Sequence, residues 1–124
     1  FAPRLSNSLI QIEVQLQYWL QDADTSNYAV FTVYRDGNVN LSQIPVSLDM
    51  NASYTGTSNT YGIWFGANRP IANYNDSAVF RVFDKPHTTD QIIYKPYSRM
   101  YASGRLYWNW GSQHDSMVIS EIKQ

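Results

Sequence analysis

The chain reads as an all-β protein, an antiparallel, jelly-roll-like β-sandwich of about eight strands with little helix. Three observations predict it. Residues 9–20 alternate almost without a break, with Ile10, Ile12, Val14, Leu16, Tyr18 and Leu20 on one side and Gln11, Glu13, Gln15, Gln17 and Trp19 on the other. Successive strand side chains point to opposite faces, so this is a long strand with one dry and one wet face, as antiparallel sheets have. Apolar and aromatic runs recur along the chain at roughly 10–15-residue spacing with turn formers between them. No segment sustains a 3.6-residue period.

Residues 1–8 read as the end of a linker, and 9–124 as one sandwich domain. After the first strand, Asp22–Asn27 is a polar loop. Residues 28–35 are β-branched and aromatic and form a second strand. Asp36-Gly37 then suits a type I′ hairpin turn. The return strand covers 39–48, with Pro45 marking an edge or a break. Residues 49–60 are small and polar and read as a loop carrying Tyr54. Residues 61–65 form a short strand, and 71–77 a loop that includes Asn73, Tyr74 and Asn75. A strand at 78–83 leads into the loop 84–90, which holds His87. Strands follow at 91–94, bounded by Pro96, at 100–110 with Gly104 as bulge or turn, and at 117–122.

The chain has 124 residues, enough for one core without staples, and no cysteine, which excludes disulfides and thiolate zinc sites. Nine basic and ten acidic residues give a net charge of −1, and the arginines and lysines are scattered. That argues against nucleic-acid binding through this domain, which needs a basic stripe on phosphate. No apolar run reaches the roughly 20 residues of a membrane span, so no membrane insertion is expected. The start at Phe1, without Met or signal peptide, suggests a processed protein or an excised domain. Charged residues make up only 15%, and aromatics, with ten Tyr, five Phe and four Trp, another 15%. Such a surface is polar without being charged, and it suits contact with sugars, receptors or other subunits.

No catalytic signature is present. His114-Asp115-Ser116 holds triad residue types, but adjacent residues cannot adopt triad geometry. Glu13, on the wet face of the first strand, and Glu121, in the last strand, could be neighbours and form a carboxylate pair for glycoside hydrolysis, which needs both acids facing one cleft. Asp22 and Asp24 are weak calcium candidates. Asn27 and Val33 stand where an EF-hand loop has Gly and Glu, so a solvated turn is the better reading. Leu106, Trp108 and Trp110 alternate with Arg105, Tyr107 and Asn109; the first set is expected in the core, with an aromatic contact platform as the other reading. The wet face of Gln11, Glu13, Gln15, Gln17 and Trp19 is uncharged apart from one Glu and is the candidate dimer face, since one patch can pair with itself across a two-fold axis.

Several phrases together resemble the C-terminal protruding domain of shrimp and prawn nodavirus capsid proteins. They are Tyr34-Arg-Asp-Gly-Asn-Val39, Phe65-Gly-Ala-Asn-Arg-Pro70, Phe83-Asp-Lys-Pro-His87, Ser98-Arg-Met-Tyr101, Gly104-Arg-Leu-Tyr-Trp108 and Asp115-Ser-Met117. The resemblance covers most of the chain from residue 34 and contains no mechanistic motif. It implies a β-rich spike on the virion surface, typically a homodimer among other capsid subunits. It also implies contact with a host-cell receptor or glycan and no enzymatic activity. Loop composition makes Tyr54, Asn73, Tyr74, Asn75 and His87 the receptor-contact candidates, with the loops 55–60, 71–77 and 84–90 forming the distal edge. The rival reading is a non-catalytic carbohydrate-binding module or lectin domain of a microbial secreted protein, a monomer stacking sugars on Trp19 or Trp64. A trimeric jelly roll resembling tumour-necrosis-factor ligands is a third.

Overall fold

A computed structural model describes residues 1–21, 28–41, 49–50, 56–58, 62–65, 73–101, 105–108 and 115–122. The expectations for Asp22, Asp24, Tyr54 and His114 lie outside the described residues. Ten strands run in the order β1 (Leu9–Gln21), β2 (Tyr28–Arg35), β3 (Val39–Asn40), β4 (Asp49–Met50), β5 (Gly56–Ser58), β6 (Gly62–Phe65), β7 (Asn73–Asp84), β8 (Tyr94–Tyr101), β9 (Arg105–Trp108) and β10 (Ser116–Ile122). Seven of them have four residues or more. All described pairings are antiparallel, and the fold is an all-β sandwich of two sheets.

Each sheet is organised by one long strand. In the first sheet β1 pairs with β7 over 10–21 on one edge. On its other edge β10 covers 9–15 and β9 covers 18–21, in tandem. β4 extends the sheet beyond β7. In the second sheet β2 pairs with β8 along its whole length, and with β6 and β3 on the opposite edge. β5 lies beyond β6. The chain crosses from one sheet to the other at most connections, including the step from β8 to β9, so the described residues 100–101 and 105–108 belong to a pair of strands in two sheets rather than to one bent strand.

The alternation of β1 becomes the core. Ile10, Ile12, Val14, Leu16, Tyr18 and Leu20 are buried and meet Ala78, Phe80 and Val82 of β7 and Ala29, Phe31 and Val33 of β2. Phe31 sits at the centre, its ring 5.3 Å from Tyr18, 6.4 Å from Phe80 and 6.2 Å from Trp108. Leu106 and Trp108 pack against this cluster, as the alternation in 105–110 predicts. The Asp36-Gly37 turn forms with φ of 51° and 77°, both in the left-handed region that a type I′ turn requires.

At one end of the sandwich the sheets are clasped through a buried acid. Asp84, at the end of β7, is 2% exposed. Arg35 Nη1, from the end of β2, donates to its two carboxylate oxygens at 2.8 and 3.0 Å. The Tyr94 hydroxyl of β8 donates to Oδ2 at 2.9 Å. Burial and the neighbouring carboxylate push the Tyr94 phenol well above its usual range. The clasp thus ties three strands of two sheets to a single side chain.

Three expectations need correction. β7 begins at Asn73, so Asn73, Tyr74 and Asn75 lie on a strand, not in a loop; pairing with Gln17–Gln21 of β1 extends the strand through a polar sequence. Residues 49–50 and 56–58, within the expected loop 49–60, form strands β4 and β5 because β7 and β6 offer them free edges. The strand expected at 91–94 instead starts at Tyr94 and runs through Pro96. Proline is tolerated there because β8 is an edge strand, paired only with β2 among the described residues.

Residues 1–8, read as a linker, are docked on the domain. Phe1 and Ile92 exchange backbone hydrogen bonds at 2.7 and 3.1 Å, and Pro3 and Ser8 are buried. Glu121 Oε1 accepts from the Arg4 and Leu5 amides at 2.8 and 3.3 Å and from Ser8 Oγ at 2.5 Å. Led by the Ser8 hydroxyl, these donors hold the carboxyl below its ordinary range. A depressed carboxyl contributes stability above its unfolded pKa, and that contribution is lost as pH falls through the folded value. The contribution of these contacts is therefore present at neutral pH and is expected to weaken as the carboxyl is protonated in acid.

Candidate functional site

The outer face of the first sheet is assembled by register. Glu13 lies between Arg81 and Val118, Gln15 between Val79 and Ser116, and Trp19 between Asn75 and Tyr107. Odd-numbered residues of β1 face outward because the even-numbered ones fill the core. The five candidates Gln11, Glu13, Gln15, Gln17 and Trp19 therefore share one surface, with Asn75 exposed beside it.

This face is internally knitted. Arg81 Nη2 donates to Glu13 Oε2 at 2.9 Å, an ion pair that solvent weakens. Gln17 Nε2 donates to Ser77 Oγ at 2.5 Å. Trp19 is half-buried rather than exposed, because the Tyr107 ring stacks on it at 5.1 Å with 28° between planes. The sequence separates these two rings by almost ninety residues, and only the β1–β9 pairing makes them one aromatic platform.

The receptor-contact candidates do not gather into one site. Asn75 opposes Trp19, whereas β7 ends at Asp84 opposite Ile10, roughly 30 Å away at the rise of a strand. His87 lies beyond that far end, exposed and with a φ of 55°. Asn73 opposes Gln21 and Tyr74 opposes Leu20 at the near end. The single distal edge expected from loop composition is thus split between two ends of the sheet.

A cavity of about 210 Å³ opens where the two sheets part, walled by Val14, Leu16, Pro96, Trp108 and Met117. Asp115 stands at its rim and accepts the Gln17 amide at 2.9 Å, closing the gap that β1 leaves between β9 and β10. The Trp108 indole N–H is spent on Ser98 Oγ at 2.6 Å, a link between the sheets. The cavity is mostly apolar, with Gln15, Asp115 and Ser116 as its polar lining and the Asp115 carboxylate already engaged by the Gln17 amide. Glu13 and Glu121 do not flank a cleft: Glu13 opposes Val118 while Glu121 opposes Ile10, which places them on opposite faces of the sheet. Among the described residues no three potential metal ligands cluster.

No family model, no curated protein and no solved structure matches the chain. The functional reading rests on the surface itself and on the sequence phrases above.

The sequence reading missed β10 as a surface feature. Met117, Val118 and Ile122 are exposed there at 36, 54 and 37%. The signal was present, since Met117-Val-Ile119 breaks the apolar–polar alternation that a half-buried strand keeps.

Proposed function

We propose that this chain is the protruding domain of a non-enveloped viral capsid protein of the shrimp and prawn nodavirus type. It stands on the virion surface as a dimeric spike and meets the host cell, with no reaction of its own. The observation that carries the reading is the outer face of the first sheet. It is broad, poor in open charge and centred on glutamine and aromatic side chains, on a rigid two-sheet scaffold. A face of this kind binds by contact area and amide hydrogen bonds rather than by charge.

A second reading has its own observation. The Trp19–Tyr107 stack, flanked by Asn75, is the form of a sugar-binding platform, and it favours a carbohydrate-binding module.

Competition for cell attachment tests the first reading. The purified chain is expected to reduce attachment of virus-like particles to crustacean host cells in a dose-dependent way. Unchanged attachment at saturating chain, together with binding to a defined sugar, would overturn the spike in favour of the module.

A further inference from the structure

The two sheets treat their open edges differently. β8 borders the second sheet and carries Lys95 and Pro96, devices that keep an edge from pairing with another chain. β10 borders the first sheet, pairs only with β1 among the described residues, and carries no proline, lysine or arginine; its one charge, Glu121, is engaged by Arg4, Leu5 and Ser8. Its seven register pairs run without a bulge. Three of the seven exposed large apolar residues of the described chain fall on this one short strand.

The carboxylates at the two ends of β10 are engaged within the chain, and Glu13, beside Val118 on the outer face, is paired with Arg81. Asp115 holds the Gln17 amide at one end of the strand, and Glu121 holds Arg4, Leu5 and Ser8 at the other. What remains on the outer side is Ser116, Val118, Ser120 and Ile122, a neutral row. Such a row meets a second copy of itself without like-charge repulsion, whereas a charged partner would find nothing to pair with.

We propose that the β10 edge is where a second copy of this chain adds, antiparallel, across a two-fold axis near Ile119. The two first sheets then become one continuous sheet through β1, β10 and their symmetry mates, with Val118 beside Ser120 of the other copy. Their outer faces merge into a single surface twice as wide. The proposal names the contact of the proposed dimer and rests on that part of the reading alone. It replaces the face of Gln11, Glu13, Gln15, Gln17 and Trp19 as the self-pairing surface and leaves that face open to a receptor. One short strand pair gives less than a standard interface, so the dimer is weak and concentration-dependent until copies are held together on a particle.

The cysteine-free chain permits a clean test. Single variants Val118→Cys, Ser120→Cys and Gln15→Cys are treated with a short bis-maleimide at high protein concentration. Diagonal neighbours across an antiparallel pair lie about 7–8 Å apart, within its reach. Val118→Cys and Ser120→Cys are expected to give covalent dimer and Gln15→Cys only monomer. Val118→Lys in the Ser120→Cys background should abolish the product with thermal stability unchanged, since Val118 is exposed. Dimer from Gln15→Cys alone would overturn the edge while keeping the dimeric reading. No dimer from any position would overturn both.

Discussion

Replacing Phe31 by alanine is expected to remove about 4 kcal/mol of folding stability, a large share of the total for a domain of this size. Phe31, on β2 of the second sheet, has no exposed surface and meets three aromatic rings of the first sheet, Tyr18 on β1, Phe80 on β7 and Trp108 on β9. Removal of the ring leaves a void that the two sheets, each fixed by its own ladder, cannot close. Urea denaturation read by tryptophan fluorescence and circular dichroism measures the loss. A loss under about 1 kcal/mol would mean that the sheets do not pack through Phe31, because ordinary core truncations of this size cost several times more.

Asp84→Ala is expected to cost about 3 kcal/mol, because it strands the Arg35 guanidinium and the Tyr94 hydroxyl against a buried gap. The double variant Asp84→Leu with Arg35→Met should cost much less than the sum of the two single losses, since it removes the charge along with its partner. Tyr94 adds a second, alkaline signature. Its folded pKa is raised, so its neutral form contributes stability below the unfolded value near 10, lost as pH rises beyond it. Additive losses in the double variant would show that the clasp contributes nothing as a unit.

The parts of the fold legible in the sequence are those governed by local rules. The alternation of β1, the β-branched run of β2 and the left-handed turn at Asp36-Gly37 all form where the residues place them. What stayed hidden depends on pairing across long separations. The Asn73–Ser77 stretch has the composition of a loop and becomes strand only because β1 is long enough to pair with it. Pro96 reads as a terminator, yet it sits inside β8 because that strand needs partners on one edge only. The same limit applies to the surface. Local alternation places Gln11 through Trp19 on one wet face, but it cannot show that Tyr107 arrives to stack on Trp19. Nor can it show that Asn75 and His87, both read as loop residues, end up far apart.

The exposed β10 edge and the outer face, poor in open charge, are the observations behind the proposed display unit that works in pairs. The most direct check is the absolute mass of the chain in solution by light scattering, from micromolar to millimolar concentration. The account predicts a mass rising from 14.3 kDa toward twice that value as concentration increases. A mass fixed at that of one chain across the whole range would contradict it.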